Sequence, residues 1–285
     1  AASDVYKRQL LFFTNNGKVY RAKGYEIPEY GRTAKGIPII NLLGIDSSEK
    51  IQAIIAVTGQ AEEGHYLFFT TRQGTVKRTT VTAFANIRSN GLIAIGLKED
   101  DELVNVLLTD GRSNIIIGTH NGYSVTFSEE AVRDMGRTAS GVRGIRLREE
   151  DYVVGAALMN EDHEVLIITE KGYGKRTKVS EYPVKGRGGK GIKTANITEK
   201  NGPLAGLATV VGDEDIMLIT DKGVIIRFNV ATVSQTGRAT LGVRLIKMEA
   251  DTKVVTMATV EPESPEEATS EEVDASCLLY TSPSP

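Results

Sequence analysis

Short apolar runs separated by tight polar turns set the rhythm of the chain. Leu10-Leu11-Phe12-Phe13, Tyr66-Leu67-Phe68-Phe69, Ile115-Ile116-Ile117, Val165-Leu166-Ile167-Ile168 and Ile216-Met217-Leu218-Ile219 each lead into a Thr-x-x-Gly turn. The turns are Thr14–Gly17, Thr71–Gly74, Thr119–Gly122, Thr169–Gly172 and Thr220–Gly223, with glycine-to-glycine intervals of 57, 48, 50 and 51 residues. After each turn the chain runs extended again, as in Val19-Tyr20-Arg21 and Val224-Ile225-Ile226-Arg227. Two β-rich runs about a Gly turn predict a hairpin, because glycine takes positive φ without a Cβ clash. Further apolar strands follow, such as Ile37-Pro38-Ile39-Ile40 and Ile51–Val57, and no long helical periodicity interrupts them. The pattern predicts an all-β fold of five blade-like repeats with about four strands each.

A second signal keeps step with the first. Fourteen residues after the turn glycine comes Gly-Arg-x-x-x-Gly, at Gly31–Gly36, Gly136–Gly141, Gly186–Gly191 and Gly237–Gly242. The second repeat departs, with Asn86 and Gly91 near the outer positions, and asparagine also tolerates left-handed backbone. The richest version, Lys185-Gly186-Arg187-Gly188-Gly189-Lys190-Gly191, imitates the G-x-G-x-x-G dinucleotide pattern. Phosphate-binding glycines of that kind need a strand before and a helix after. Here the following Ile192–Ile197 reads as the repeat's third strand, so nucleotide binding is set aside.

Charge divides the chain. It carries 34 Lys+Arg and 37 Asp+Glu, net −3, yet residues 261–276 hold seven acids and no base. Residues 1–9 and 277–285 resemble in-frame translations of sequencing adapters, so residues 10–276 are read as the biological segment. Residues 10–260 are then a mildly basic body of net +3, followed by an acidic, Pro-containing tail read as disordered. The single cysteine, Cys277, falls in the terminal segment, which leaves no disulfide or thiolate metal site in the body. His65, His120 and His163 show no paired metal-ligand spacing and read as loop or surface residues.

The body's polyanion chemistry must therefore come from arrangement. Lys185, Arg187, Lys190 and Lys193 cluster with little side-chain bulk between them, so a phosphate backbone can approach closely. An arginine recurs four residues after the turn glycine, at Arg21, Arg78, Arg176 and Arg227, with Lys23, Lys77, Lys175 and Lys178 nearby. The loop arginines Arg32, Arg137 and Arg238 complete the candidate set. Presented at one rim, these cations form a belt that binds duplex along its backbone with little base readout. The competing reading makes the recurrent arginines scaffold, paired with a neighbouring blade's acids such as Glu99, Asp100 or Asp101. Phe12, Phe13, Phe68 and Phe69 read as inter-blade core rather than base-stacking platforms.

Ile37-Pro38-Ile39-Ile40-Asn41-Leu42, Gly141-Val142-Arg143-Gly144-Ile145-Arg146-Leu147, Lys171–Thr177 and Gly242–Ile246 together resemble the C-terminal domain of the DNA gyrase A protein over essentially all of residues 10–260. The resemblance implies a β-pinwheel, a propeller-like ring of usually six strand-exchanging blades, of which five are present here. It implies duplex DNA wrapped around the rim with fixed handedness, so that the whole enzyme, a type IIA topoisomerase, introduces negative supercoils as it hydrolyses ATP. It also implies an A2B2 assembly in the bacterial cytoplasm, associated with the nucleoid. The nucleophilic tyrosine would lie upstream, and the ATP and Mg²⁺ sites in the gyrase B protein, so no residue of this chain is expected to be catalytic and no cofactor is expected here.

The family's Gln-Arg-Arg-Gly-Gly-Lys-Gly box belongs to a first blade ahead of Leu10; Lys185–Gly191 is similar but sits in a later blade. Two alternatives stay open: the corresponding domain of topoisomerase IV, and a propeller-like protein-interaction scaffold. The tail is expected to compete with DNA for the basic rim.

Overall fold

The computed structural model describes residues 9–31, 34–57, 64–248 and 251–262. The leading residues 1–8, Arg32, the tail from residue 263 and the terminal segment 277–285 lie outside the described residues. Each Thr-x-x-Gly turn closes an antiparallel hairpin: β1 (Gln9–Thr14) with β2 (Lys18–Lys23), then, after β3 (Ile51–Val57), β4 (Tyr66–Thr71) with β5 (Thr75–Thr80). The second repeat continues through β6 (Leu92–Ile93) and β7 (Leu103–Thr109). The third holds β8 (Asn114–Thr119), β9 (Tyr123–Ser128), β10 (Val142–Arg143) and β11 (Val153–Met159). The fourth holds β12 (Glu164–Thr169), β13 (Tyr173–Lys178), β14 (Ile192–Lys193) and β15 (Leu204–Val210), and the fifth β16 (Asp215–Thr220), β17 (Ile225–Asn229), β18 (Val243–Arg244) and β19 (Val254–Val260).

The sheets do not coincide with the repeats. The strand orders β3-β1-β2-β6, β10-β5-β4-β7, β11-β8-β9-β14 and β15-β12-β13-β18 each take the outermost strand from the following repeat. In every case the donated pair of residues meets the first two residues after the turn, as in Lys18↔Ile93 and Val19↔Leu92, or Thr75↔Arg143 and Val76↔Val142. The turn glycine fixes this register. Its carbonyl accepts two successive N–H groups from the donated segment: Gly17 from Ala94 and Ile95, Gly74 from Gly144 and Ile145, Gly122 from Thr194 and Ala195, and Gly172 from Leu245 and Ile246. Positive φ is thus one of two reasons for glycine; at Gly74 a Cβ would also lie 2.7 Å from Ile145 Cγ2.

Between blades the core is apolar on both faces of the hairpins begun by β4, β8 and β12, whose strands are buried at every position but the first, which is why the sequence shows unbroken apolar runs rather than alternation. On β4, Leu67 and Phe69 pack toward the first blade with Leu11, Phe13 and Phe84, while Phe68 packs toward the third with Ile115, Ile117 and Phe127. Phe13 meets Phe69 edge-on at 5.6 Å, and both are fully buried, each worth about 1.5–3 kcal/mol in transfer from water. The aromatic residues are core, as expected. The inner strands β3, β7, β11, β15 and β19 face the axis and contact one another in succession.

One expected strand is not a strand. Ile39–Leu43 forms a short α-helix, α1, ended by Gly44 in left-handed conformation at φ 60°. In the four later repeats the two residues after the matching glycine form the donated strands β6, β10, β14 and β18; Ile37-Pro38 pairs with no strand among the described residues, and Ile37, Ile39 and Ile40 are 45%, 39% and 39% exposed. Reciprocally, the fifth sheet has three strands, β17-β16-β19, among the described residues.

The exchange predicts a specific weak point. Gly141, at φ 96°, would place a Cβ 2.4 Å from the Val76 carbonyl oxygen, an atom fixed in the β5 ladder. Gly141→Ala is expected to lower stability by at least about 2 kcal/mol, read as a shift of the urea midpoint. Gly136→Ala, with nothing within 4 Å of the new methyl, should change it little.

Candidate nucleic-acid interface

Strand exchange brings the Gly-Arg loops side by side at the outer rim, each leaning on the segment donated before it. Gly96 N–H donates to Ala139 O at 3.2 Å, Gly188 N–H to Gly144 O at 2.6 Å, Arg146 N–H to Gly189 O at 2.8 Å, and Asn196 N–H to Thr240 O at 3.1 Å. The loop arginines help rivet this ladder. Arg187 Nη1 donates to Arg143 O at 3.0 Å and its Nε to Ala131 O at 2.9 Å. Arg238 Nη1 makes the equivalent bond to Lys193 O.

On this frame the 185–191 loop stands out. Lys185, Arg187 and Lys190 are exposed, and Lys193 projects from the outermost strand β14. The Lys185 and Lys190 ammonium groups have no hydrogen-bond or carboxylate partner among the described residues, and Lys193 reaches Asn196 Oδ1 at a long 3.4 Å. Gly188 and Gly191 take φ of 79° and 73°, and a Cβ at Gly191 would lie 2.6 Å from Ser124 O. These glycines let the loop hug blade three, leaving its cations facing solvent.

The recurrent arginines are all engaged within the fold. Arg78 donates through Nε to Asp134 Oδ1 at 2.7 Å, lies 3.8 Å from the buried Glu129 carboxylate and covers the Tyr66 ring. Arg176 pairs with Glu164 at 2.7 Å and donates to Val233 O, and Arg227 pairs with Asp215 at 2.8 Å. Arg21 donates to Ala85 O at 3.0 Å. The partners are therefore different acids from Glu99, Asp100 and Asp101; Asp101 instead accepts from Thr71 Oγ1 and the Gln73 N–H to brace the second turn.

Lys77 and Lys175 are corrections to the expected belt: both are fully buried. Strands β5 and β13 each lie between neighbouring blades and carry a donated strand on their outer edge, so neither side chain reaches solvent. Lys77 Nζ donates to Arg137 O at 2.6 Å and also to Ala94 O and Gly136 O. Lys175 Nζ donates to Gly237 O at 2.8 Å, to Arg238 O and to Thr240 O at 3.2 Å. Burial lowers the Lys77 pKa to about 7 and that of Lys175 to about 8, with the nearby Arg137 and Arg238 charges adding to the effect.

Arg137 and Arg238 are half-buried. Sequence reasoning overlooked Arg143 and Arg146, which are exposed beside the 185–191 loop. The signal was present: the second residue after the loop's final glycine is basic at Arg143, Lys193 and Arg244. Among the described residues no cluster of three or more His, Cys, Asp or Glu could hold a metal. The axial cavity, about 440 Å³, is lined by mixed charges including Arg72, Glu102, Glu170 and Lys253.

The architecture is that of a strand-exchanged β-propeller, a β-pinwheel, with cations on its rim. The family model "DNA gyrase C-terminal domain, beta-propeller" matches five successive segments, residues 8–58, 65–110, 113–158, 163–210 and 214–261, and the chain belongs to that family. It is 62% identical over 262 residues to the DNA gyrase A protein of Streptococcus pneumoniae, covering 92% of this chain and 32% of that protein. The chain thus spans about a third of the length of the curated relatives it matches. Among solved structures it is similar to the C-terminal domain of DNA topoisomerase IV, with TM-score 0.83, 30% identity, and coverage of 95% of this chain and 85% of that one. A DNA gyrase A C-terminal domain matches with TM-score 0.77 and 25% identity, over 89% of this chain and 83% of that one. Among the described residues no helix is long and apolar enough to cross a membrane.

Two outcomes follow for the buried lysines. Lys175→Met removes one donor each from the carbonyls of Gly237, Arg238 and Thr240, of which Gly237 O and Thr240 O keep backbone partners, and a loss of about 1–3 kcal/mol is expected in urea unfolding. For Lys77 the folded value of about 7 lies below the ordinary 10.5. Holding the buried charge is therefore costly below pH 7, and that cost is relieved as pH rises toward 10.5. The parent should gain stability relative to Lys77→Met between those pH values; a constant difference contradicts this.

Proposed function

We propose that this chain is the duplex-wrapping domain of a gyrase A protein, bending DNA around its rim so that the parent enzyme introduces negative supercoils. One observation carries the reading. Three of the recurrent arginines are paired with carboxylates, whereas Lys185 and Lys190 stand on the outer rim with their charges uncompensated by any described residue. Together with Lys193, Arg187, Arg143 and Arg146, they form a surface that displaces counterions from a phosphate backbone. Its cations are spread along an exposed rim, so binding follows shape and deformability rather than sequence.

In the longer parent this domain would act with a second gyrase A protein and with gyrase B, which would supply ATP hydrolysis and Mg²⁺, in the bacterial cytoplasm at the nucleoid. Gyrase A relatives that are 62% identical favour gyrase. The topoisomerase IV domain, with TM-score 0.83, shares the frame and marks the runner-up.

Wrapping and simple adhesion differ topologically. Nicked plasmid sealed by ligase in the presence of the chain should carry a changed linking number, with the change growing as chain is added. An unaltered topoisomer distribution at saturating chain would overturn wrapping and leave a duplex-binding or scaffold role.

A further inference from the structure

Lys77 and Lys175 turn carbonyls inward, and that has a consequence on the outer surface. A trans peptide points its C=O and N–H in opposite directions. Where Gly136 O and Arg137 O converge on Lys77 Nζ, the N–H groups of Arg137 and Thr138 point away from Lys77. Neither N–H has an acceptor among the described residues.

The fifth repeat shows what such an N–H takes. There Gly237 O and Arg238 O converge on Lys175 Nζ in the same way, and the outward Arg238 N–H donates to the Glu181 carboxylate at 2.8 Å. The turns match as well: Ala139 N–H closes on Gly136 O, and Thr240 N–H on Gly237 O. Glu181 lies nine residues after the turn glycine Gly172; nine residues after Gly74 stands Ala83. That position therefore supplies no carboxylate to the loop on the second blade. The space agrees: a Cβ built at Gly136 has nothing within 4 Å, whereas Glu181 Oε2 lies 3.9 Å from one built at Gly237.

We propose that the Gly136–Ser140 turn is an anion site for a DNA phosphate, formed by the Arg137 and Thr138 N–H groups over the buried Lys77 ammonium. In the fifth repeat the equivalent site is filled internally by Glu181. Successive unpaired N–H groups on a tight turn can form an anion-binding concavity, and the Arg238 N–H shows that the first of the pair takes a carboxylate oxygen. The half-exposed Arg137 side chain adds charge, and the nearby Asp134 carboxylate is held by Arg78 at 2.7 Å. The proposal deepens the duplex-wrapping reading and rests on it for the identity of the phosphate.

The test uses inorganic phosphate as probe, titrated into the ¹⁵N-labelled chain at constant ionic strength. Saturable shifts are expected at the Arg137 and Thr138 amides. Ala83→Glu, which places a carboxylate where Glu181 sits in blade four, should abolish them and weaken duplex binding about threefold to tenfold. Glu181→Ala should open the second site and bring new phosphate shifts at Arg238. Immobile Arg137 and Thr138 amides in the parent, or parent-like shifts in a folded Ala83→Glu variant, would overturn the site. If the parent bound no duplex at all, the wrapping reading would fall, while the amide shifts would still decide whether this site binds phosphate.

Discussion

The turn-glycine carbonyl is the contact on which the rest of this structure depends. Each of four such carbonyls receives two N–H groups from the next repeat, and with them comes a strand that completes one blade while belonging by sequence to another. No blade is finished without its successor, so the hydrophobic seams and the rim loops are fixed together. Unmade buried hydrogen bonds are costly, and this makes register a shared property of neighbouring blades.

That constraint sorts the cations into three populations. Lys77 and Lys175 are consumed inside, holding the carbonyls of the following repeat's Gly-Arg loop. Arg78, Arg176 and Arg227 are consumed between strands and blades by carboxylates. The remainder, led by Lys185, Lys190 and Lys193, faces solvent on a backbone held by ladder contacts and glycine packing. A preorganised rim loses little entropy when a phosphate backbone arrives, so modest net charge is enough for binding.

Much of this was legible from the sequence. Turn spacing gave the five hairpins, and the apolar runs beside the turns gave their strands. The exchange was hidden because two-residue strands such as Val142–Arg143 carry no periodicity and name no partner. The same blindness made Ile37–Ile40 look like a strand, although extended structure there depends on a neighbouring sheet edge. Lys77 and Lys175 read as surface residues because lysine is almost never buried unpaired; that three carbonyls await each one is a tertiary fact. Recurrence of an arginine after each turn marked it as important without separating scaffold from ligand contact. Glu164 and Asp215 share one repeat position, eight residues before the turn glycine, but that position is Gln9, Tyr66 and Asn114 in the other repeats, and Arg78 draws Asp134 from elsewhere.

The central claim is that the uncompensated rim lysines, and not the paired arginines, meet DNA. Duplex affinity measured across a salt series, for the parent and for a Lys185/Lys190/Lys193→Ala variant, tests it most directly. Loss of three phosphate contacts should flatten the log K against log[salt] slope by roughly 2 to 3 and weaken binding at low salt. A slope and affinity equal to the parent's would contradict the account and place the duplex on another face of the ring.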